Sequence, residues 1–329
     1  MLLQREPNAF IAMQSGYDAN KVQPSIVMDL VQRWGVMKRD ISSTPPNLGL
    51  FSFDAHVLGG ALIGLGMAVT GSCPGTSFVQ AGTGSLHGAL VVLGGLLGGI
   101  TFVSLTRARA KRQPQTAEDP PHPEVSGTQS KTPLDIATAL GIPPFVLLLI
   151  WVPMCLAVMR IAFAKDRSQP SLPNPGLVPP AYGGLLIGLA QLVTILLTGH
   201  AIGASSGYED VARWLEGKLV SGSPKVEASR KLLTGPVMFA AGIVCSAAIQ
   251  NYLFGSGRPL SNLEYPHMST LLALRAVAGG WAMVLGARVA RGCTSGHGIS
   301  GLSKFSLPSL VTTASMFGMC IATAAALKY

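Results

Sequence analysis

Two cysteines sit where apolar segments break. Cys73 lies in Val69-Thr70-Gly71-Ser72-Cys73-Pro74-Gly75-Thr76, and Cys293 in Arg291-Gly292-Cys293-Thr294-Ser295-Gly296-His297. A thiol is polarisable, donates weakly through its hydrogen and accepts weakly through its sulfur. It therefore suits a sulfur-bearing ligand better than chloride or a sugar. A helix restarting after each break would aim unpaired backbone N–H groups and its positive dipole end at an anion. Ser72, Cys73, Gly75 and Thr76 in one break, with Cys293, Thr294, Ser295, Gly296 and His297 in the other, form the candidate substrate pathway.

The neighbouring residues leave alternatives open. A thiol at a helix N-terminus becomes nucleophilic if its pKa falls. His297 is four residues after Cys293 and would share its helix face, as a base or as a second metal ligand. The favoured reading of His297 is a hydrogen bond within the turn. Arg288 and Arg291 could steer an anion or anchor at lipid headgroups. Cys155, Cys245 and Cys320 sit in ordinary apolar runs and read as packing. The sequence carries no Walker-type phosphate loop, H-E-x-x-H or C-x-x-C, so neither ATP drive nor a metal or other cofactor is expected.

The elements that carry these breaks belong to a membrane. The chain of 329 residues has 12% charged residues, against about 25% in soluble domains, and a mean hydropathy of +0.43. No Asp, Glu, Lys or Arg occurs in Ala55–Thr106, Ile136–Met159, Ala181–Tyr208, Leu232–Gly257 or Phe305–Leu327. Runs of about 20 apolar residues span a bilayer. Gly94, Gly95, Gly98 and Gly99 provide two overlapping small-xxx-small pairs for close helix contact. The net charge of +9 lies largely in short loops such as Lys38-Arg39 and Arg107–Arg112. It is not interleaved with aromatics, so nucleic acid is excluded as a partner. MLLQREPNAF lacks the apolar core of a signal peptide.

Aligning Cys73 with Cys293, 220 positions on, places Gly59 on Gly279, Gly60 on Gly280, Leu65 on Leu285, Gly66 on Gly286 and Val69 on Val289. Paired Gly-interrupted apolar segments in two halves of a chain point to a transport site. A weaker echo links Ser15-Gly16-Tyr17-Asp18 with Ser206-Gly207-Tyr208-Glu209. It accompanies a third break at Gly199–Gly207.

The expected fold is all-α, a polytopic integral membrane protein with two internal repeats and re-entrant half-helices. Residues 1–106 form the first repeat, 107–133 a hydrophilic flexible loop, 134–180 a kinked linking span and loop, and 181–329 the second repeat. Spans are expected at Phe53–Thr70, Ser85–Thr106, Leu134–Phe163, Ala181–Thr198, Leu232–Leu253, Leu271–Ala290 and Pro308–Leu327. Re-entrant pieces are expected at Thr76–Gly84 and Thr294–Ser303, and an interfacial or re-entrant helix at Ser25–Arg39.

Residues 286–301, Gly-Ala-Arg-Val-Ala-Arg-Gly-Cys-Thr-Ser-Gly-His-Gly-Ile-Ser-Gly, resemble the YeeE/YedE family of sulfur-compound transporters. Gly66–Gly75 resembles that family's other cysteine motif. The resemblance implies thiosulfate uptake through a two-fold repeated fold, with re-entrant half-helices bringing cysteines to the pathway centre. Only Cys73 and Cys293 match those motif positions. Members usually open with a full Gly-rich span and a further cysteine. Here Met13-Gln14-Ser15-Gly16 supplies none, and two readings stand: a first repeat truncated at its N-terminus, or a branch that has lost one relay station.

The expected function is transport, without enzymatic activity, of a small sulfur anion across a lipid bilayer, the plasma membrane being favoured over an organelle. Two alternatives stand. One is a membrane sulfurtransferase that loads Cys293 as a persulfide, with a soluble sulfur-carrier protein as partner. The other is a non-sulfur anion channel in which the cysteines only pack.

Overall fold

The computed structural model describes residues 51, 53–112, 180–198, 203–220, 234–254 and 269–327, with scattered positions between 136 and 160. The segment Ser25–Arg39, most of the 107–133 loop and most of the Leu134–Phe163 span lie outside the described residues. Among the described residues the regular structure is helical. The helices are α1 (Asp54–Thr70), α2 (Pro74–Gly82), α3 (Leu86–Arg112), α4 (Pro180–Thr198), α5 (Ser206–Val220), α6 (Gly235–Phe254) and α7 (Thr270–Val289). A π-helical segment (Thr294–Gly301) and α8 (Leu307–Ala326) follow.

Local chemistry sets the helix ends. Asp54 opens α1, where a carboxylate complements the dipole, and accepts the Ala55 N–H at 2.6 Å. Gly71 closes α1 in the left-handed region, φ 65°, and returns its N–H to the Met67 carbonyl. Cys73 caps α2, and Pro74 takes a first-turn position that needs no N–H. The Ser269 hydroxyl caps α7 by accepting the Leu272 N–H at 3.3 Å. The α7 end is followed by Arg291, which holds the left-handed conformation, φ 61°, without being glycine. α3 runs past Thr106 to Arg112, beyond the end expected from hydropathy.

Among the described residues, five helical stretches are long and apolar enough to cross a membrane: Asp54–Gly82, Leu86–Ala108, Gly235–Leu253, Thr270–Val289 and Leu307–Ala326. Their outward side chains, among them Leu58, Leu93, Leu97, Ile249, Leu274 and Ile321, are exposed apolar groups. In a bilayer these face lipid. The protein is a multi-pass membrane protein.

α1 and α7 form the centre. α8 packs on α1, α3 packs on α7, and α1 and α7 pack on each other. The central crossing is antiparallel and built on glycine. A Cβ on Gly59 would lie 2.7 Å from the Gly286 carbonyl oxygen, and one on Gly66 would lie 2.5 Å from that of Gly279. Contact this close replaces the hydrophobic drive that lipid cannot supply. Ile63, Met67, Val91, Ala276, Met283, Ala287 and Met316 fill the space around it. A second layer places α5 on α3, and α6 on both α2 and α5.

Candidate functional site

Three short helical elements begin close together: α2 after Cys73, α5 after Ser205, and the π segment after Cys293. A Cβ on Gly75 would sit 3.9 Å from the Cys73 sulfur and 3.8 Å from the Ala204 Cβ. The Ala204 N–H donates to the Ser295 hydroxyl oxygen at 3.4 Å. Tyr208, one turn into α5, stacks on Phe78 of α2, with ring centroids 4.6 Å apart. Its hydroxyl meets that of Ser77 at 2.9 Å. Phe78, Ala204, Tyr208, Ala240 and Val284 form the apolar wall behind this junction.

Cys73 is half-buried. Its sulfur accepts the Thr76 N–H at 3.4 Å, while its own N–H donates to the Thr76 hydroxyl oxygen at 2.7 Å. This reciprocal pair is a capping box with sulfur in the usual place of oxygen. Ser72 is buried and bonds back to the Thr70 hydroxyl at 3.3 Å, so it tightens the break.

Cys293 is buried, 1% exposed, and packs in the apolar cluster against which Cys73 also lies. The Ser295 hydroxyl is 3.1 Å from its sulfur. The Ser205 hydroxyl and the N–H groups of Ser205 and Gly296 also reach the sulfur. Donors from two separate segments, 203–206 and 294–296, thus surround one sulfur atom in apolar surroundings. An anionic or sulfur-rich group replacing or joining that sulfur would find the same donors. Thr294 is buried beside Cys293 in the chain, and Ser295 and Gly296 are partly exposed.

His297 does not reach the thiol through its hydrogen bonds. Its Nε2 is 2.9 Å from the Ala290 carbonyl oxygen and its Nδ1 is 3.0 Å from the Ser309 hydroxyl. The carbonyl can only accept, so Nε2 carries the hydrogen and Nδ1 accepts from Ser309. The ring thereby ties the end of α7 to α8 across the break, so its partners lie outside the turn in which the sequence placed its hydrogen bond. Gly292 leaves room for it, since a Cβ there would meet Nε2 at 2.7 Å. His56 stands edge-on to His297 at 5.6 Å between centroids and bonds Thr312 at 2.9 Å.

Arg288 is largely buried. It donates to Glu209 at 2.5 Å and to the Ser205 hydroxyl oxygen at 2.6 Å. Arg213 also pairs with Glu209. Burial alone would push the Glu209 carboxyl up, yet the Arg288 and Arg213 guanidiniums hold it below its ordinary value, so it stays ionised. Arg291 is exposed.

Both cysteines and the segments that follow them are candidates on residue type and spacing alone. Ser205, Ser77, Tyr208 and Glu209 are not singled out in that way. The available signal is the third break, whose echo of Ser15-Gly16-Tyr17 in Ser206-Gly207-Tyr208 rests on a tripeptide alone.

The fold is that of a multi-pass membrane protein, and the comparisons with known proteins give its class as a transporter. Residues 22–322 match the family described as sulphur transport, and the chain belongs to that family, the YeeE/YedE family of the resemblance above. It is similar to a "Probable transporter" of Xylella fastidiosa strain 9a5c, with 30% identity over 147 residues that make up 44% of this chain and 91% of the relative. It is also similar to a "Probable transporter" of strain Temecula1 / ATCC 700964, with 28% identity over 147 residues and the same shares.

Proposed function

We propose that this chain carries a small sulfur-containing anion, thiosulfate first, along a pathway lined by Cys73 and Cys293. The observation that carries the reading is the convergence of three helix starts on two thiols within an apolar shell. Backbone N–H groups and the Ser205, Ser295 and Thr76 hydroxyls offset the charge of the anion. The thiols exchange hydrogen bonds with its polarisable terminal sulfur. Passage is noncovalent, because conduction needs binding weak enough to release.

In this reading α2, α5 and the π segment are re-entrant half-helices, and the halves 1–106 and 181–329 are repeats. The glycine contacts support the repeat. Gly59 meets Gly286 and Gly66 meets Gly279, while the 220-residue shift maps Gly59 onto Gly279 and Gly66 onto Gly286. Each contact therefore has a counterpart with the partners exchanged, as a two-fold axis requires. The Xylella relatives, about half as long, match over most of their own length, which a duplicated chain would also give.

The test is uptake of sulfur-labelled thiosulfate by cells lacking their own route. Wild type should accumulate label, and Cys293→Ala and Cys73→Ala should each reduce uptake at least about tenfold, the effect of about 1.4 kcal/mol at the site. Full uptake by the double alanine variant would exclude the thiols. A mass gain of one sulfur on Cys293 would instead indicate a sulfurtransferase. Chloride or sulfate flux indifferent to both cysteines would indicate an anion channel.

A further inference from the structure

Arg288 lies on α7, one turn before the break, and its charge is committed to Glu209 on α5. Its other terminal nitrogen reaches the Ser205 hydroxyl oxygen at 2.6 Å. Ser205 immediately precedes α5, the place that Cys73 holds before α2 and Cys293 before the π segment. Ser205 follows Ala204, whose N–H bonds the Ser295 hydroxyl at 3.4 Å, and that hydroxyl is itself 3.1 Å from the Cys293 sulfur, so Ser205 stands beside the same sulfur as a hydrogen-bonding partner. A serine hydroxyl has one hydrogen and two lone pairs. Arg288, a guanidinium, can only donate, so it occupies a lone pair on Ser205. The hydroxyl hydrogen is then left for the sulfur.

We infer that the Arg288–Glu209 pair is a positioning device that fixes Ser205 as a hydrogen-bond donor to the sulfur centre at Cys293, making Ser205 a third substrate-contacting station. The inference rests on the transport reading above. Glu209 is the anchor: it holds Arg288 against the N-terminal turn of α5, and Arg213 on the next turn holds Glu209. The arrangement joins α7, which carries the Cys293 break, to α5, which carries the Ser205 break. These parts of the chain lie 79 residues apart at the ion pair. A free arginine there would act on anions through its net charge. One paired to a buried carboxylate acts through the direction of its N–H groups.

The experiment measures the thiosulfate concentration giving half-maximal uptake in vesicles containing the full chain, with membrane-inserted protein quantified for every variant. Ser205→Ala should raise that concentration about tenfold, the effect of losing one hydrogen bond to a charged group. Ser205→Thr, which keeps the hydroxyl, should stay within about twofold of wild type. Arg288→Gln should match Ser205→Ala, and the double variant should be no worse than either single, because both act through one hydrogen bond. Glu209→Gln should weaken uptake by releasing Arg288. If Arg288 steered anions by its charge, Glu209→Gln would strengthen uptake, and that result overturns the inference. Wild-type affinity in Ser205→Ala, or additive losses in the double variant, overturns it as well. Absence of uptake by wild type overturns the transport reading itself, and the inference with it.

Discussion

The backbones of Gly66 and Gly279 touch across the α1–α7 crossing, and nothing larger than hydrogen fits between them. A Cβ on Gly66 would also lie 2.6 Å from the Met283 Cβ, which is itself fixed in the core. Because backbone cannot rotate away as a side chain can, Gly66→Val should force the two helices apart. The expected cost is about 1–3 kcal/mol for overpacking, seen as a lower thermal midpoint and less monodisperse protein in detergent. Gly318 on α8 has no atom within 4 Å of its would-be Cβ, so Gly318→Ala is the matched control and should leave both readouts unchanged.

Cys73 has two jobs that substitution can separate. As the cap of α2 it accepts the Thr76 N–H, and serine does this at least as well. Cys73→Ser should therefore keep the thermal midpoint. Cys73→Ala should lose about 1 kcal/mol, the ordinary value of an N-cap. Thiosulfate uptake should fall in both variants, because neither presents a polarisable sulfur. Uptake retained by Cys73→Ser and lost only in Cys73→Ala would mean that the cap, rather than the sulfur, is what transport requires.

His297 is a latch in this structure, and both of its ring nitrogens are occupied by Ala290 and Ser309. His297→Ala leaves a buried carbonyl and a buried hydroxyl without that partner, which should lower stability by about 1–3 kcal/mol. The rate at which a small thiol reagent modifies Cys293 in the folded fraction should not change, since no ring nitrogen is bonded to the sulfur. A fall of tenfold or more in that rate, about 1.4 kcal/mol in barrier, would instead make His297 the activating base.

The legibility of the molecule follows the range of its interactions. Gly71, Cys73, Pro74 and Gly292 act within a turn of themselves, so the ends of α1 and α7 and the start of α2 could be read from residue types alone. The apolar runs likewise placed α6 and α8 to within a few residues. Ser205 became visible only in three dimensions, because its role comes from Arg288 and Cys293, far along the chain. The exchange of glycine partners across α1 and α7 was implicit in the repeated glycine register, but the antiparallel crossing that gives it meaning was not. Arg288 and Arg291 looked alike in sequence. One proves to be buried against Glu209, and the other lies on the surface with a strained backbone.

That strain is itself testable. Arg291 holds φ 61° at the position that corresponds to Gly71, φ 65°, under the 220-residue shift. A residue with a Cβ gives up about 1–2 kcal/mol in the left-handed region. Arg291→Gly should recover about 1 kcal/mol of that, reduced by the greater freedom of glycine in the unfolded chain. The thermal midpoint should rise. Uptake at physiological salt should persist, since an exposed charge is screened over about 8 Å there. A loss of uptake confined to low salt would assign Arg291 a steering role.

Tyr208 allows the junction to be disturbed without touching any residue that faces the sulfur. A Cβ on Gly95 of α3 would lie 2.7 Å from the Tyr208 ring and 2.9 Å from the Val284 Cγ2. The ring has little freedom to retreat, because it is stacked on Phe78 and its hydroxyl is held at Ser77. Gly95→Ala should therefore push the first turn of α5, and with it Ser205, away from Cys293. A displacement near 1 Å at a pre-organised site can cost as much as about a hundredfold, so a fall in uptake of at least about tenfold is expected from protein that still inserts and stays monodisperse. Gly242→Ala on α6, with no atom within 4 Å of the added Cβ, should take up thiosulfate as wild type does. Normal uptake by Gly95→Ala would show that α5 can shift without consequence, and the junction would then have to work through Cys73 and the π segment alone.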